Sequence, residues 1–162
     1  MWPKFGGLEY AARMSNEMSP QRFPVWYDPL SPIGSAVRYV ASLSPFFAWV
    51  GVYVLKGDTL ELDPYLGEPS EHTRIPIGVG VCGTAVATGQ DQNIPDVRAI
   101  SNYLSCSLKT RSELVVLIRD PRSKGILGQI DIDSHTPAAF SEELESQVRK
   151  VADELANWWP NQ

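Results

Sequence analysis

Residues 113–133 read ELVVLIRDPRSKGILGQIDID. Glu113 to Ile118 and Ile126 to Asp133 are two runs of strand type, rich in branched apolar residues, and Asp120-Pro121-Arg122-Ser123-Lys124-Gly125 between them has the Pro and Gly of a long hairpin turn. In the second run the side chains alternate. Asp131 and Asp133 share one face, opposite Ile130 and Ile132. The stretch therefore predicts an antiparallel hairpin with two carboxylates on one side.

Working outward, Phe46 to Leu55 is a third strand, and Lys56-Gly57-Asp58 turns it into a fourth, Thr59 to Leu62. Ile75-Pro76-Ile77 is short and extended, Gly83 to Thr88 reads as a helix stopped by Gly89, and Ile94 is a fragment of strand. Residues 95–111 lack periodicity and read as a functional loop. Helices bracket the strands. Ile33, Val37, Val40 and Ala41 mark one face of a helix closed off before Pro45, and Leu144, Val148, Val151, Leu155 and Trp158 mark another that Ser141 caps and Glu142 and Glu143 favour electrostatically. The order of elements, a helix, several antiparallel strands with an inserted helix and loop, and a last helix, predicts an α+β domain.

The domain reads as residues 33–159. Residues 1–32 hold five of the 13 prolines, which break any long element there. Leu8 to Met18 still has helical spacing, and the segment reads as a proline-rich arm packed on the domain or, in a homodimer, on a partner subunit. A net charge of −5 without basic runs removes the usual electrostatic basis for binding nucleic acid or anionic lipid. The longest apolar run covers about half a membrane span, and the N-terminus leads into no secretory segment, so the expected location is the cytoplasm. In a reducing compartment two cysteines are packing residues or reactive thiols rather than a structural staple.

Cys82, Cys106, Glu113, Asp131 and Asp133 are the candidate chemistry. A thiol, a second thiol to resolve it and carboxylates to hold a small polar ligand suit a redox reaction. Each has a plainer reading: Cys82 as a core thiol, Asp131 and Asp133 as the wet side of a half-buried strand, Trp49 and Tyr53 as core aromatics. No metal is expected, because the cysteines and histidines lack zinc spacing and the Asp-x-Asp pair lacks further oxygen ligands.

The runs Trp49-Val50-Gly51-Val52-Tyr53, Thr73-Arg74-Ile75-Pro76, Gly80-Val81-Cys82-Gly83-Thr84-Ala85, Asp96-Val97, Cys106, Ser112-Glu113 and Asp131-Ile132-Asp133-Ser134 occur in an order that resembles the GAF-domain free methionine-(R)-sulfoxide reductases. The resemblance implies a GAF fold, with a central antiparallel sheet of about six strands flanked by helices, and thiol-dependent reduction of free methionine-(R)-sulfoxide through a cysteine sulfenic acid, with thioredoxin or another thiol as reductant and no bound cofactor. It casts Cys106 as nucleophile, Cys82 as resolving thiol, and Trp49, Tyr53, Glu113, Asp131 and Asp133 as the substrate pocket. The chain departs from that pattern at His72, where a third cysteine is usual, at Leu117, which replaces a proline, and at Ser107, which follows the nucleophile in place of an aspartate. His72 then becomes a modulator that, when protonated, favours the Cys106 thiolate. The alternative reading is a noncatalytic GAF module that binds a small metabolite.

Overall fold

A computed structural model of the chain describes residues 23–104 and 107–160. The expected helix at Leu8–Met18 and Cys106 itself lie outside the described residues.

Helix α1 (Pro32–Ser42) begins on a proline, whose missing N–H costs nothing in a first turn, and buries Ile33, Ala36, Val37 and Val40. Strand β1 (Phe47–Lys56) turns through Gly57 and Asp58 into β2 (Thr59–Leu66), pairing Lys56 with Thr59. The reading that ended β2 at Leu62 was too short. Tyr53 faces Leu62 while Gly51 faces Tyr65, so Asp63 and Pro64 fall in a register shift where a proline breaks no regular ladder.

Strand β3 (Arg74–Pro76) precedes α2 (Gly80–Thr88), which starts three residues before the expected Gly83 and ends on Gly89 at φ 66°. That left-handed turn is open to glycine without strain, and its N–H caps Ala85 and Val86 carbonyls. Strand β4 (Gln92–Ile94) and a single 3₁₀ turn (Val97–Ala99) follow. The hairpin is β5 (Ser112–Arg119) and β6 (Ile126–Ser134). Last, α3 (Glu142–Ala156) opens on Ser141, whose hydroxyl accepts the Leu144 N–H at 3.2 Å. Every strand pair is antiparallel, in the order β3-β2-β1-β6-β5-β4, which is the α+β sheet of six strands expected.

The sheet has two covered faces. Val50, Val52, Val54, Leu114, Val116, Ile118, Ile130 and Ile132 pack beneath α1 and α3. The opposite face carries Trp49, Tyr53, Val115 and Leu117 and is covered by α2, which packs on β5, β3 and β6. Trp158 does not join the α3 face as its spacing suggested: the helix ends at Ala156, and the Trp158 ring meets Phe23 at 4.7 Å and Tyr27 at 5.2 Å. Beside them Trp26 Nε1 donates to Glu154 Oε2 at 3.0 Å, so residues 23–27 are stitched to the end of α3. No helix of the described residues is long and apolar enough to cross a membrane.

Where β4 stops, Leu117 loses its strand partner on that side and is served by side chains instead. Asp91 Oδ1 accepts the Leu117 N–H at 2.9 Å, Arg149 Nη1 donates to its carbonyl at 2.8 Å, and Arg149 and Asp91 pair at 2.5 Å. Leu117 is fully buried, so Asp91→Ala strands an N–H away from water. The expected loss is about 2 kcal/mol, seen as a lower urea midpoint at unchanged slope. An unchanged midpoint would show that Asp91 contributes nothing there.

Candidate active site

The register of β1, β6 and β5 lays the second face out in rows. Trp49, Asp133 and Glu113 are opposite one another in the first; Gly51, Asp131 and Val115 form the second; Tyr53, Gln129 and Leu117 form the third. The reading that placed Asp131 and Asp133 on one face is borne out. Their face is not wet, however: Asp131 is 1% exposed, Asp133 3% and Glu113 5%. Cys82 comes from the first turn of α2 and closes over the rows, its Sγ donating to Glu113 Oε1 at 3.9 Å.

The fold thus buries three carboxyl groups and a thiol together, and no ion pair of the described residues includes any of the three acids. Burial, followed by repulsion from Asp131 and Asp133, drives Glu113 well above the usual carboxylate range. Burial and then Asp131 push Asp133 the same way. Asp131 rises to about 6 through burial, held back by hydrogen bonding to Cys82 and Glu113. Burial and the negative field of Asp131 and Glu113 lift the Cys82 thiol well above its ordinary value, although it sits near a helix N-terminus, a place that usually favours thiolates. Among these polar atoms, Asp131 Oδ1 has no hydrogen-bond partner.

Trp49 is held flat by what is absent beneath it. A Cβ on Gly51 would come within 2.3 Å of its Cη2, so only glycine lets the indole lie across the second row. The indole stacks on Tyr65 at 5.6 Å, and its Nε1 is buried without a partner among the described residues. Tyr53 is fully buried and donates its hydroxyl to the His72 carbonyl at 2.8 Å, tying β1 to the loop before β3. A cavity of about 590 Å³ opens beside Trp49 and Asp133, and Glu68, Ser107, Thr110 and His135 also line it.

Sequence reasoning missed Gln129, fully buried with neither side-chain polar atom partnered, and Thr110, whose buried hydroxyl is also unpartnered. The available signal for Gln129 was the alternation itself, which puts it on the Asp131 face. Thr110 stands in the aperiodic loop and gave none.

The profile of the GAF domain covers residues 35–157. The chain belongs to the GAF domain family. Within it, the free methionine-R-sulfoxide reductase of Escherichia coli (strain K12) is 39% identical over 107 residues, 66% of this chain and 63% of that protein, so the match spans less than two thirds of that relative's length. The type II free methionine-R-sulfoxide reductase of Thermoplasma acidophilum superposes with TM-score 0.75 at 37% identity, over 80% of this chain and 91% of its own. The Neisseria meningitidis free methionine-R-sulfoxide reductase, solved in complex with its substrate, gives 0.74 at 30% identity over 82% and 78%. These relatives bear out the resemblance read from the residues and the GAF fold it implied.

Proposed function

We propose that this GAF domain reduces free methionine-(R)-sulfoxide to methionine with thiols as the electron source. The observation that carries the reading is the buried set of Glu113, Asp131 and Asp133 on one sheet face, without a cationic partner among the described residues. Such a pocket repels anions and fits a guest with an ammonium group, which an amino acid supplies. Its relatives in Escherichia coli, Thermoplasma acidophilum and Neisseria meningitidis, named for this substrate, support the assignment.

In the reaction the Cys106 thiolate attacks the sulfoxide sulfur, and the oxygen passes to Cys106. Methionine leaves and Cys106 becomes a sulfenic acid: the substrate sulfur gains two electrons and the cysteine sulfur loses two. The departing oxygen needs a proton, and burial, followed by repulsion from Asp131, raises Glu113 and Asp133 toward the protonated form that can supply it. Trp49 lies against the thioether side, while Tyr53 backs it and fixes the His72 loop. Cys82, pushed away from the thiolate form, is unsuited to the first attack. Its role is to condense with the sulfenic acid, releasing water and forming a Cys82–Cys106 disulfide, which a cytoplasmic thioredoxin-like dithiol reduces without any bound cofactor.

The test is chiral analysis of free methionine sulfoxide incubated with the protein and thioredoxin or dithiothreitol. Methionine is expected from the R form and not from the S form; no methionine with either reductant would reject the function. Because His72 stands where a third cysteine is usual, Cys82 is the internal partner left for Cys106. One equivalent of substrate without reductant is therefore expected to yield the Cys82–Cys106 disulfide by mass spectrometry, a bond that requires the two Cα atoms to come within about 7 Å. A persistent sulfenic acid with two separate cysteines would replace internal resolution by direct reduction from outside.

A further inference from the structure

Cys82, Glu113 and Asp131 stand on separate segments of the sequence, where they read as parts of a redox site and not as metal ligands. The fold brings one donor atom from each within 4.8 Å of the others, all buried. The thiol comes from α2, one carboxyl from the start of β5 and one from the middle of β6. A second observation concerns the same residue: Asp131 is 1% exposed, and its Oδ1 has no hydrogen-bond partner among the described residues. Buried carboxyl oxygens ordinarily find a donor or a cation.

We infer that Cys82, Glu113 and Asp131 form a site for a thiophilic divalent cation of the zinc class. One sulfur and two oxygens suit a borderline-soft ion rather than calcium or magnesium, which take all-oxygen shells of six or more. In a tetrahedral zinc site a thiolate and a carboxylate oxygen stand about 3.5 Å apart, given bonds of about 2.3 and 2.0 Å. Cys82 Sγ and Glu113 Oε1, at 3.9 Å, are within a few tenths of an ångström of that. Three protein donors leave one position open, the arrangement of exchangeable rather than closed structural zinc. Cys82 and Glu113 each retain 5% exposure, and Asp133, the register partner of Glu113, borders the neighbouring cavity.

Binding is proton exchange without redox change. The cation takes the place of the thiol proton and of any carboxyl protons on the donors, which pass to the buffer. The cation and the substrate ammonium would use the same carboxyl groups, so each excludes the other and the metal inhibits the enzyme. This competition rests on the proposed function; the site itself does not.

The experiment titrates Co²⁺ into reduced, chelator-treated full-length protein and then displaces it with Zn²⁺. A sulfur-to-cobalt charge-transfer band is expected at one equivalent, retained in Cys106→Ser and lost in Cys82→Ser. Asp131→Asn should weaken cobalt binding by at least about tenfold. Circular dichroism and urea unfolding confirm that each variant is folded. Absence of the band in folded wild type, or its loss in Cys106→Ser with survival in Cys82→Ser, would overturn the site. Free methionine sulfoxide should displace the cobalt. If the band obeys the Cys82 pattern but the sulfoxide does not displace the metal, the site stands and its competition with the substrate falls.

Discussion

Cys106→Ser should lower turnover of free methionine sulfoxide at least about a thousandfold, to the level of the reductant alone. A serine hydroxyl has no thiolate form at neutral pH and is a weak nucleophile without a base of its own, so the first bond to sulfur never forms. Cys82→Ser has a different signature. Burial, and then the charge of Asp131, favour the protonated form of its thiol, so its loss leaves the first methionine released per enzyme intact and slows later turnovers with thioredoxin, while dithiothreitol, small enough to reach the sulfenic acid directly, largely restores them. Rapid-quench counting of methionine separates the two variants. Comparable first-turnover yields in wild type and Cys106→Ser would take Cys106 out of the mechanism, and a first turnover lost in Cys82→Ser would make the buried thiol the nucleophile.

The β5–β6 hairpin was legible because it obeys two simple rules at once, a two-residue period and a Pro/Gly turn. Its meaning was less so. Gln129, Asp131 and Asp133 alternate with apolar residues as the solvated side of a strand would, yet all are buried. What covers them is α2, a short helix of glycine, alanine and small residues with no apolar stripe, together with loops that have no period at all. Local patterning reports which face a residue is on, and the burial of that face is decided by segments distant in sequence. The resemblance grouped Cys82 with Glu113 and Asp131 in one site, but their close approach depends on α2 beginning at Gly80 and packing on β5, which local patterning does not report. Pro64 concealed the second half of β2, since proline in a strand counts against one unless a bulge is foreseen. Trp158 kept helical spacing with α3 although the helix stops at Ala156, its ring being claimed by Phe23 and Tyr27.

Asp131→Asn should separate stability from function in the metal-free protein. Asp131 has a folded pKa of about 6 against 3.8 for an ordinary aspartate, so the folded state binds its proton more tightly than the unfolded chain does. The stability this proton confers is fully present below about pH 4 and is lost as pH rises through about 6. A shift of that size corresponds to about 3 kcal/mol. Glu113 and Asp133, raised in the same direction, add to the trend, and wild type should gain stability on going from pH 8 to pH 5. The amide that Asp131→Asn introduces keeps the shape without the charge, so the variant should be the more stable protein at pH 8, with a flatter dependence below it. Binding moves the other way: losing one charge-assisted contact to the substrate ammonium costs about 1.5–3 kcal/mol, or about 10 to 150-fold in affinity. Urea titrations at both pH values, paired with calorimetry of methionine sulfoxide, read the two effects. A variant no more stable than wild type at pH 8 would mean that the buried charge is compensated by a cation, and an unchanged affinity would move the amino group of the ligand away from Asp131.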